Sequence, residues 1–486
     1  MAVSKLLVIY LVAPLFFVLS LLYCAPAVAL AATYYLGPNG QDTNSGRSAE
    51  AAWANFGQAW AYLQPGDILV LLDGTYHQPL APNGRNGTAE APITIRAQHD
   101  GQVTIDGQGI DIPVHLYRDY YVIEGIVARN GNHAVYFVSG SHNVLRRVSG
   151  YDANPDDNSD VFAIFDSHNN LLEDCVAAGT GRKMVMIYRG SHNTVRRCFA
   201  DWWRWDGRYW CDDWPWGDNL QIYNSDYNII ENSIGYGSVP VWSIAVQANA
   251  PDVSAIGNQV LGSISIDAGM NHDSSVKTWP RSRPTPTACN QLRDFQWPSQ
   301  RAGFALFGDG VIRDNLFRDI FAWGSAGLGL TVILDGDHAN NVVDHVTLFN
   351  NGLDNPAGWG GIGAELRPEE NYLWDEQHEV WVEEWDERGE GARLDKRYVD
   401  GLLTDEPLWP WPMEDRVRAE LGLSPTVLVG SLFGQWEAQA KPLPPFIRDG
   451  KLVRPLANRC IVSDFDKVDT LYYDGPGFTP LPLQAP

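Results

Sequence analysis

A short segment that recurs four times between Val135 and Asn228 narrows what this chain can fold into more than any other feature. The copies are Val135–Asn143, Val161–Asn169, Val185–Asn193 and, with one extra residue, Asn219–Asn228. Three close on the same triplet, Ser141-His142-Asn143, Ser167-His168-Asn169 and Ser191-His192-Asn193, and the fourth on Ser225-Asp226-Tyr227-Asn228. A β-rich run follows each, Val144–Val148, Leu171–Cys175, Val195–Cys198 and Ile229–Asn232, so the unit reads strand, turn, strand. The serines lie 26, 24 and 34 residues apart. Periods of this size mark solenoids, in which each unit buries its apolar face only against its neighbours. No leucine-rich pattern accompanies the repeat. The spacing therefore predicts an all-β chain, a parallel β-helix with one coil per repeat and an insertion in the last interval. The phase continues at Tyr121–Ile126, Val311–Asn315 and Val342–Val346, which places coils over residues 68–365, with insertions at 202–217 and 273–301.

Side chains alternate along a strand, so aligned copies predict columns. Tyr136, Phe162, Met186, Leu220 and Val138, Ile164, Tyr188, Ile222 are expected inward. Phe137, Ala163, Ile187, Gln221 and Ser139, Phe165, Arg189, Tyr223 are expected outward. Asn143, Asn169 and Asn193 recur in every coil, which suits a hydrogen-bonded ladder better than a catalytic triad, needed only once.

The N-terminus carries Lys5, an apolar run from Leu6 to Ala32 and the small-x-small sequence Ala27-Val28-Ala29, so residues 1–31 read as an export signal or, if uncleaved, an anchor. The mature chain is then secreted or held at the cell surface, and is expected to be monomeric. Five cysteines remain, with no metal-binding spacing. Cys175 and Cys198 share a column, as a bridge or a core pair, and Cys211 with Cys289, one in each insertion, is the preferred disulfide. With 59 acidic against 35 basic residues and a net charge of −24, nucleic acid and anionic membrane surfaces are not expected partners. Residues 366–486 form an acidic, Trp-rich flank in which the coil rhythm is lost.

Residues 34–76 start at Tyr34-Tyr35-Leu36-Gly37-Pro38. An amphipathic helix follows, with Trp53, Phe56, Trp60 and Leu63 at helical spacing. Then come Pro65-Gly66-Asp67, the strand Ile68–Leu72 and Gly74-Thr75-Tyr76. This opening resembles that of secreted right-handed parallel β-helix proteins of the pectate-lyase-like superfamily, which include polysaccharide lyases. The resemblance implies a right-handed solenoid whose first coil is plugged by the helix over 32–67, and a polysaccharide partner. No lyase family's catalytic motif aligns, so no site is carried over from it.

Candidate chemistry follows from the register. It places Lys183 level with His133, Ser159 and Gly217, one rung from the acidic loop Asp156–Asp160. Uronate β-elimination needs a base and a positive charge on the substrate carboxylate. Lys183 is the candidate base, Arg182 and Arg189 the carboxylate clamps, and Asp157 and Asp160 the candidate Ca²⁺ ligands, since clustered carboxylate oxygens suit a hard cation. The insertion at 202–217 holds six tryptophans. Trp203, Trp205, Trp210 and Trp214, with Arg204 and Asp218, are candidate sugar-binding residues. Asp160 and Asp218 share a column and make the best carboxylate pair for hydrolysis. Three readings stay open: a lyase of acidic glycans, a glycoside hydrolase, and a non-catalytic glycan-binding or surface protein. The lyase reading leads.

Overall fold

The computed structural model describes residues 31–154, 157–201, 217–238, 242–266, 302–323, 329–334, 336–349, 392–394 and 396–408, with isolated residues and short strands elsewhere. Each coil contributes three strands to parallel stacks. One stack carries an inward column, Leu69, Ile95, Ile123, Leu145, Leu172, Val195, Ile230, Val260, Phe317 and Val343, paired rung to rung and buried throughout. Burying each such side chain contributes about 1.5–3 kcal/mol, so this column is a major source of the solenoid's stability. A second stack runs from Gly74–Tyr76 through Val103–Asp106, Ile126–Gly131 and Ser149–Ala153 to Ile264–Ile266. The third is an eight-stranded sheet: Val114–Leu116, Ala134–Val138, Asp160–Phe165, Lys183–Tyr188, Leu220–Tyr223, Ile244–Ala248, Phe304–Gly308 and Leu330–Leu334. Ahead of the coils, Thr33–Leu36 pairs with Ile68–Leu71, and the helix spans Phe56–Tyr62, burying Phe56, Ala59 and Trp60. Trp53 lies before the helix rather than on it, bridged to Leu36 and stacked 4.8 Å from Tyr34.

The asparagine ladder exists, but one of its rungs differs from the expected one. Asn143, Asn170, Asn193, Asn228, Asn258, Asn315 and Asn341 are all buried; each after Asn143 accepts, through Oδ1, the N–H of the asparagine one coil earlier, and Asn143 accepts that of Tyr121. Asn169 lies beside the ladder, exposed at φ 58°. The middle turn is Ser167-His168-Asn169-Asn170, one residue longer than its neighbours, and His168 pairs with Ser191. Aligning the copies on Asn169 therefore shifts the next coil by one residue. In the structure Val185 and Ile187 fill the inward columns beside Phe162 and Ile164, while Met186 and Tyr188 sit level with Ala163 and Phe165 on the opposite face.

At the corner between the first two stacks, one residue per coil is left-handed: Gly125, Arg147, Asp174, Arg197, Asn232, Gly262, Asp319 and His345, with φ from 49° to 72°. Residues 392–394 and parts of 396–408 lie against this corner. Arg393 donates twice to Asp319 at 2.8 Å, Tyr398 Oη also donates to Asp319, the Tyr398 N–H reaches Asn232 Oδ1 at 2.7 Å, and the N–H groups of Asp400 and Gly401 reach Glu231 at 3.1 and 2.9 Å. Part of the acidic flank thus forms a strap, which includes the antiparallel hairpin Lys396–Val399 and Leu402–Pro407. Cys175 and Cys198 are buried free thiols, and burial with the neighbouring Cys175 raises the Cys198 thiol well above its usual range. Among the described residues no helix is long and apolar enough to cross a membrane.

Candidate active site

The corrected register sharpens the candidate site. Lys183 lies directly opposite Asp160 rather than Ser159. The next strand continues the column to Asp218, because Val185 faces Leu220 and the Met184 N–H donates to the Asp218 carbonyl at 3.1 Å. A lysine is thereby held between two aspartates, with Cα neighbours about one strand spacing, 4.8 Å, apart. Asp160, Lys183 and Asp218 are only 4, 3 and 1 % exposed.

Burial costs charged groups their hydration, and here that cost is shared among opposite charges. Burial and the adjacent Arg182 push Lys183 down to about 8, against the pull of Asp160 and Asp218. Burial pushes both carboxyls up to about 6, opposed chiefly by Lys183 and then Arg182. Burial thus draws the carboxyls and the amine toward each other, between about 6 and about 8. Asp218 also accepts the Trp242 N–H.

Arg182 Nη1 donates to Asn158 Oδ1 at 2.7 Å. Lys183 Nζ lies 5.3 Å from the centroid of Tyr223, whose ring is 5.2 Å from that of Tyr188. The Arg189 guanidinium rests 4.8 Å from the Tyr188 ring and pairs with Asp166 at 2.7 Å. Arg189 and Lys183 therefore flank one pair of tyrosines, although they start and follow the same strand. The exposed Arg189–Asp166 pair is cheap to exchange for another carboxylate.

Several of these groups had no assigned role in the sequence reading. His133 Nδ1 sits 3.4 Å from Asp157 and its charge favours ionised Asp160. Tyr223 was readable as outward-facing, but its nearness to Lys183 comes from side-chain reach, since its backbone lies level with Tyr188. Gln221 and Gln247 are buried, and among the described residues their Oε1 atoms have no hydrogen-bond partner. Trp203, Arg204, Trp205, Trp210 and Trp214 fall outside the described residues, as do Cys211 and Cys289.

Calcium takes six to eight oxygen ligands. Among the described residues Asp160 Oδ1 is buried without a hydrogen-bond partner and Asp157 is near enough to act on it, but Asp157 faces His133 and Asp160 faces Lys183. Among the described residues no three His, Cys, Asp or Glu side chains gather around one point. Those residues do not make a calcium site by themselves, and no step below depends on one.

Parallel three-strand coils with a laddered turn define a β-helix, and the buried charged column gives one of its faces the means for acid–base chemistry. A sequence profile of the chondroitinase B family matches residues 52–201, a stretch containing Asp160, Arg182, Lys183 and Arg189 and ending before Asp218. Pectate lyase L of Dickeya dadantii (strain 3937) and pectate lyase L of Dickeya chrysanthemi are each 25 % identical over 259 residues, 47 % of this chain and 56 % of theirs. The chain thus spans about half the length of these curated relatives. Among solved structures, pectate lyase Pel9A superposes with a TM-score of 0.41 at 15 % identity, over 79 % of this chain and 90 % of that one. A rhamnogalacturonan lyase does so with a TM-score of 0.36 at 14 % identity, over 80 % and 98 %. The parallel coils and the sequence matches support a β-helix similar to those of the pectate-lyase-like superfamily.

Proposed function

We propose that the protein is a secreted polysaccharide lyase that cleaves an acidic, uronate-containing glycan by β-elimination at the Lys183 coil. The observation that carries this reading is the buried Asp160–Lys183–Asp218 column with Arg182 adjoining it, while Arg189 rests on Tyr188, whose ring neighbour Tyr223 lies by Lys183. Removing the proton α to a carboxylate needs a base, and the charge that develops on that carboxylate needs a cation. Neutral Lys183 takes the proton, and Arg182 or Arg189 holds the carboxylate. The electron pair released forms a carbon–carbon double bond and expels the glycosidic oxygen at the β-position, which takes a proton from water and leaves as a free hydroxyl. Ionised Asp160 and Asp218 flank the ammonium that Lys183 becomes, which keeps its charge paired in a buried site until the proton passes to solvent. The matched relatives carry the names pectate lyase and chondroitinase, so pectate and chondroitin-type glycans come first among substrates to try.

The test is absorbance of the unsaturated product on pectate, alginate and glycosaminoglycans. Wild-type protein yields product on at least one of them and Lys183→Ala yields none. No product on any uronate glycan refutes the lyase reading. New reducing ends without that absorbance would favour hydrolysis through Asp160 and Asp218, whose Cα atoms lie about two strand spacings, roughly 10 Å, apart. Retention of the polymer without turnover would leave a binding protein. Calcium bound through Asp157 and Asp160 would need further oxygens besides these two carboxylates; activity that is lost on chelation and returns only with Ca²⁺ would add the metal to the site.

A further inference from the structure

The eight-stranded sheet carries a line of aromatic rings that the catalytic proposal does not use. His115, Phe137, Phe165, Tyr188 and Tyr223 come one from each of five successive coils, and all are half-buried. Their successive centroids lie 5.0, 5.4, 5.3 and 5.2 Å apart. Exposed positions of a solenoid need no aromatic residue in coil after coil, so an unbroken, half-open apolar strip marks a contact surface. The ring angles support this. Inside the coil Tyr136 and Phe162 stack nearly flat, 4° apart, and consume each other's faces. Along the strip the neighbouring rings are inclined by 85°, 61°, 59° and 49°, the first two pairs edge-on and the last two tilted, so none stacks flat on the next.

Two further features fix what fits the strip. One ring per coil gives a spacing comparable with the repeat of an extended pyranose chain, whose C–H faces stack on aromatic rings. At the Tyr223 end the strip meets the Lys183 ammonium, and the unpartnered Gln221 and Gln247 oxygens lie on the same sheet, Gln247 directly opposite Tyr223. Arg189 rests on Tyr188, and Arg118 lies 5.5 Å from Tyr117, beside His115, so cations stand near both ends of the strip. We infer that the strip is a stacking track for an acidic glycan, which lies along the solenoid axis and runs from Lys183 toward the N-terminal coils. This inference rests on the lyase reading for its substrate class. The four rings beyond Tyr223 then hold several sugars on one side of the cleaved bond, which makes the protein an enzyme of polymers rather than of short fragments.

The experiment separates binding from turnover. Full-length Lys183→Ala protein is run through gels containing polygalacturonate or alginate, with and without Phe137→Leu and Phe165→Leu together. Leucine keeps the apolar volume of the strip and removes the ring faces. The expected result is a loss of about ten-fold in apparent affinity with unchanged thermal unfolding. In the Lys183 background, the same pair lowers kcat/KM on long oligosaccharides by a similar factor and leaves the shortest cleavable ones unchanged. Retardation equal to that of the parent would overturn the track even if unsaturated product is made. Lost retardation in a protein that makes no product would sustain the track and remove the lyase reading.

Discussion

Replacing Asn170 by Ala tests the register on which the site depends. Asn170 is 1 % exposed. Its Oδ1 accepts the Asn143 N–H at 2.9 Å, and its Nδ2 donates to Ser167 Oγ at 3.2 Å and Asn193 Oδ1 at 3.0 Å. Asn193 Oδ1 keeps the Asn170 N–H and Ser167 Oγ keeps the Val138 carbonyl, so only the buried Asn143 N–H loses its acceptor. One orphaned buried donor plus two deleted hydrogen bonds amounts to about 3 kcal/mol. Asn169→Ala, one residue earlier, changes an exposed left-handed position and should cost about 1 kcal/mol or less. Urea unfolding of the full chain followed by circular dichroism compares the two, provided the slopes match. Equal midpoints, or a larger shift for Asn169→Ala, would show that Asn169 is the rung and that Lys183 does not face Asp160.

Three further outcomes are expected. Lys183→Met leaves Asp160 and Asp218 without their cation. Because their folded pKa values lie above the unfolded value, the fold binds the extra protons and stability falls as pH rises from about 4 through 6 and beyond; the loss near pH 8 should approach about 3–5 kcal/mol, and a variant whose stability is flat with pH would contradict the buried column. If Lys183 is the base, kcat rises with pH through about 8 as the amine loses its proton, and a rate that falls across that range would remove Lys183 from the role. Asp319→Ala releases Arg393 and Tyr398 from the corner, so trypsin should cut near Arg393, Lys396 and Arg397 faster while far-ultraviolet circular dichroism is kept; unchanged cleavage would mean that the Asn232 and Glu231 contacts hold the strap alone.

The solenoid was legible because its period is written in chemistry that recurs: a turn asparagine and an apolar column in each coil. The error was local. An extra Asn in one turn offered two ways to align the copies, and nothing in Ser167-His168-Asn169-Asn170 alone says which carboxamide turns inward. That slip moved Lys183 by one position and hid its neighbours. Asp160, Arg182 and Lys183 were readable as a cluster because they follow one another across coils, and Asp218 as a member of their column. The burial of Gln221 and Gln247 and the nearness of Tyr223 to Lys183 were not, because they depend on side-chain reach rather than spacing. The strap was unreadable for another reason: it pairs with Glu231, Asn232 and Asp319 without repeating anything in their sequence.

That strap also sets an order of events. Each coil's own pairings join residues one repeat apart, so coils can form as soon as their neighbour exists. The strap instead joins Tyr398 to Asn232 across 166 residues and Gly401 to Glu231 across 170. Closing so large a loop before the corner exists would cost chain entropy with nothing to receive it. The corner must therefore be complete before the strap arrives, and its docking should be a late step in folding. Until it docks, Glu231 waits at the corner without the two backbone N–H donors that it holds in the finished molecule.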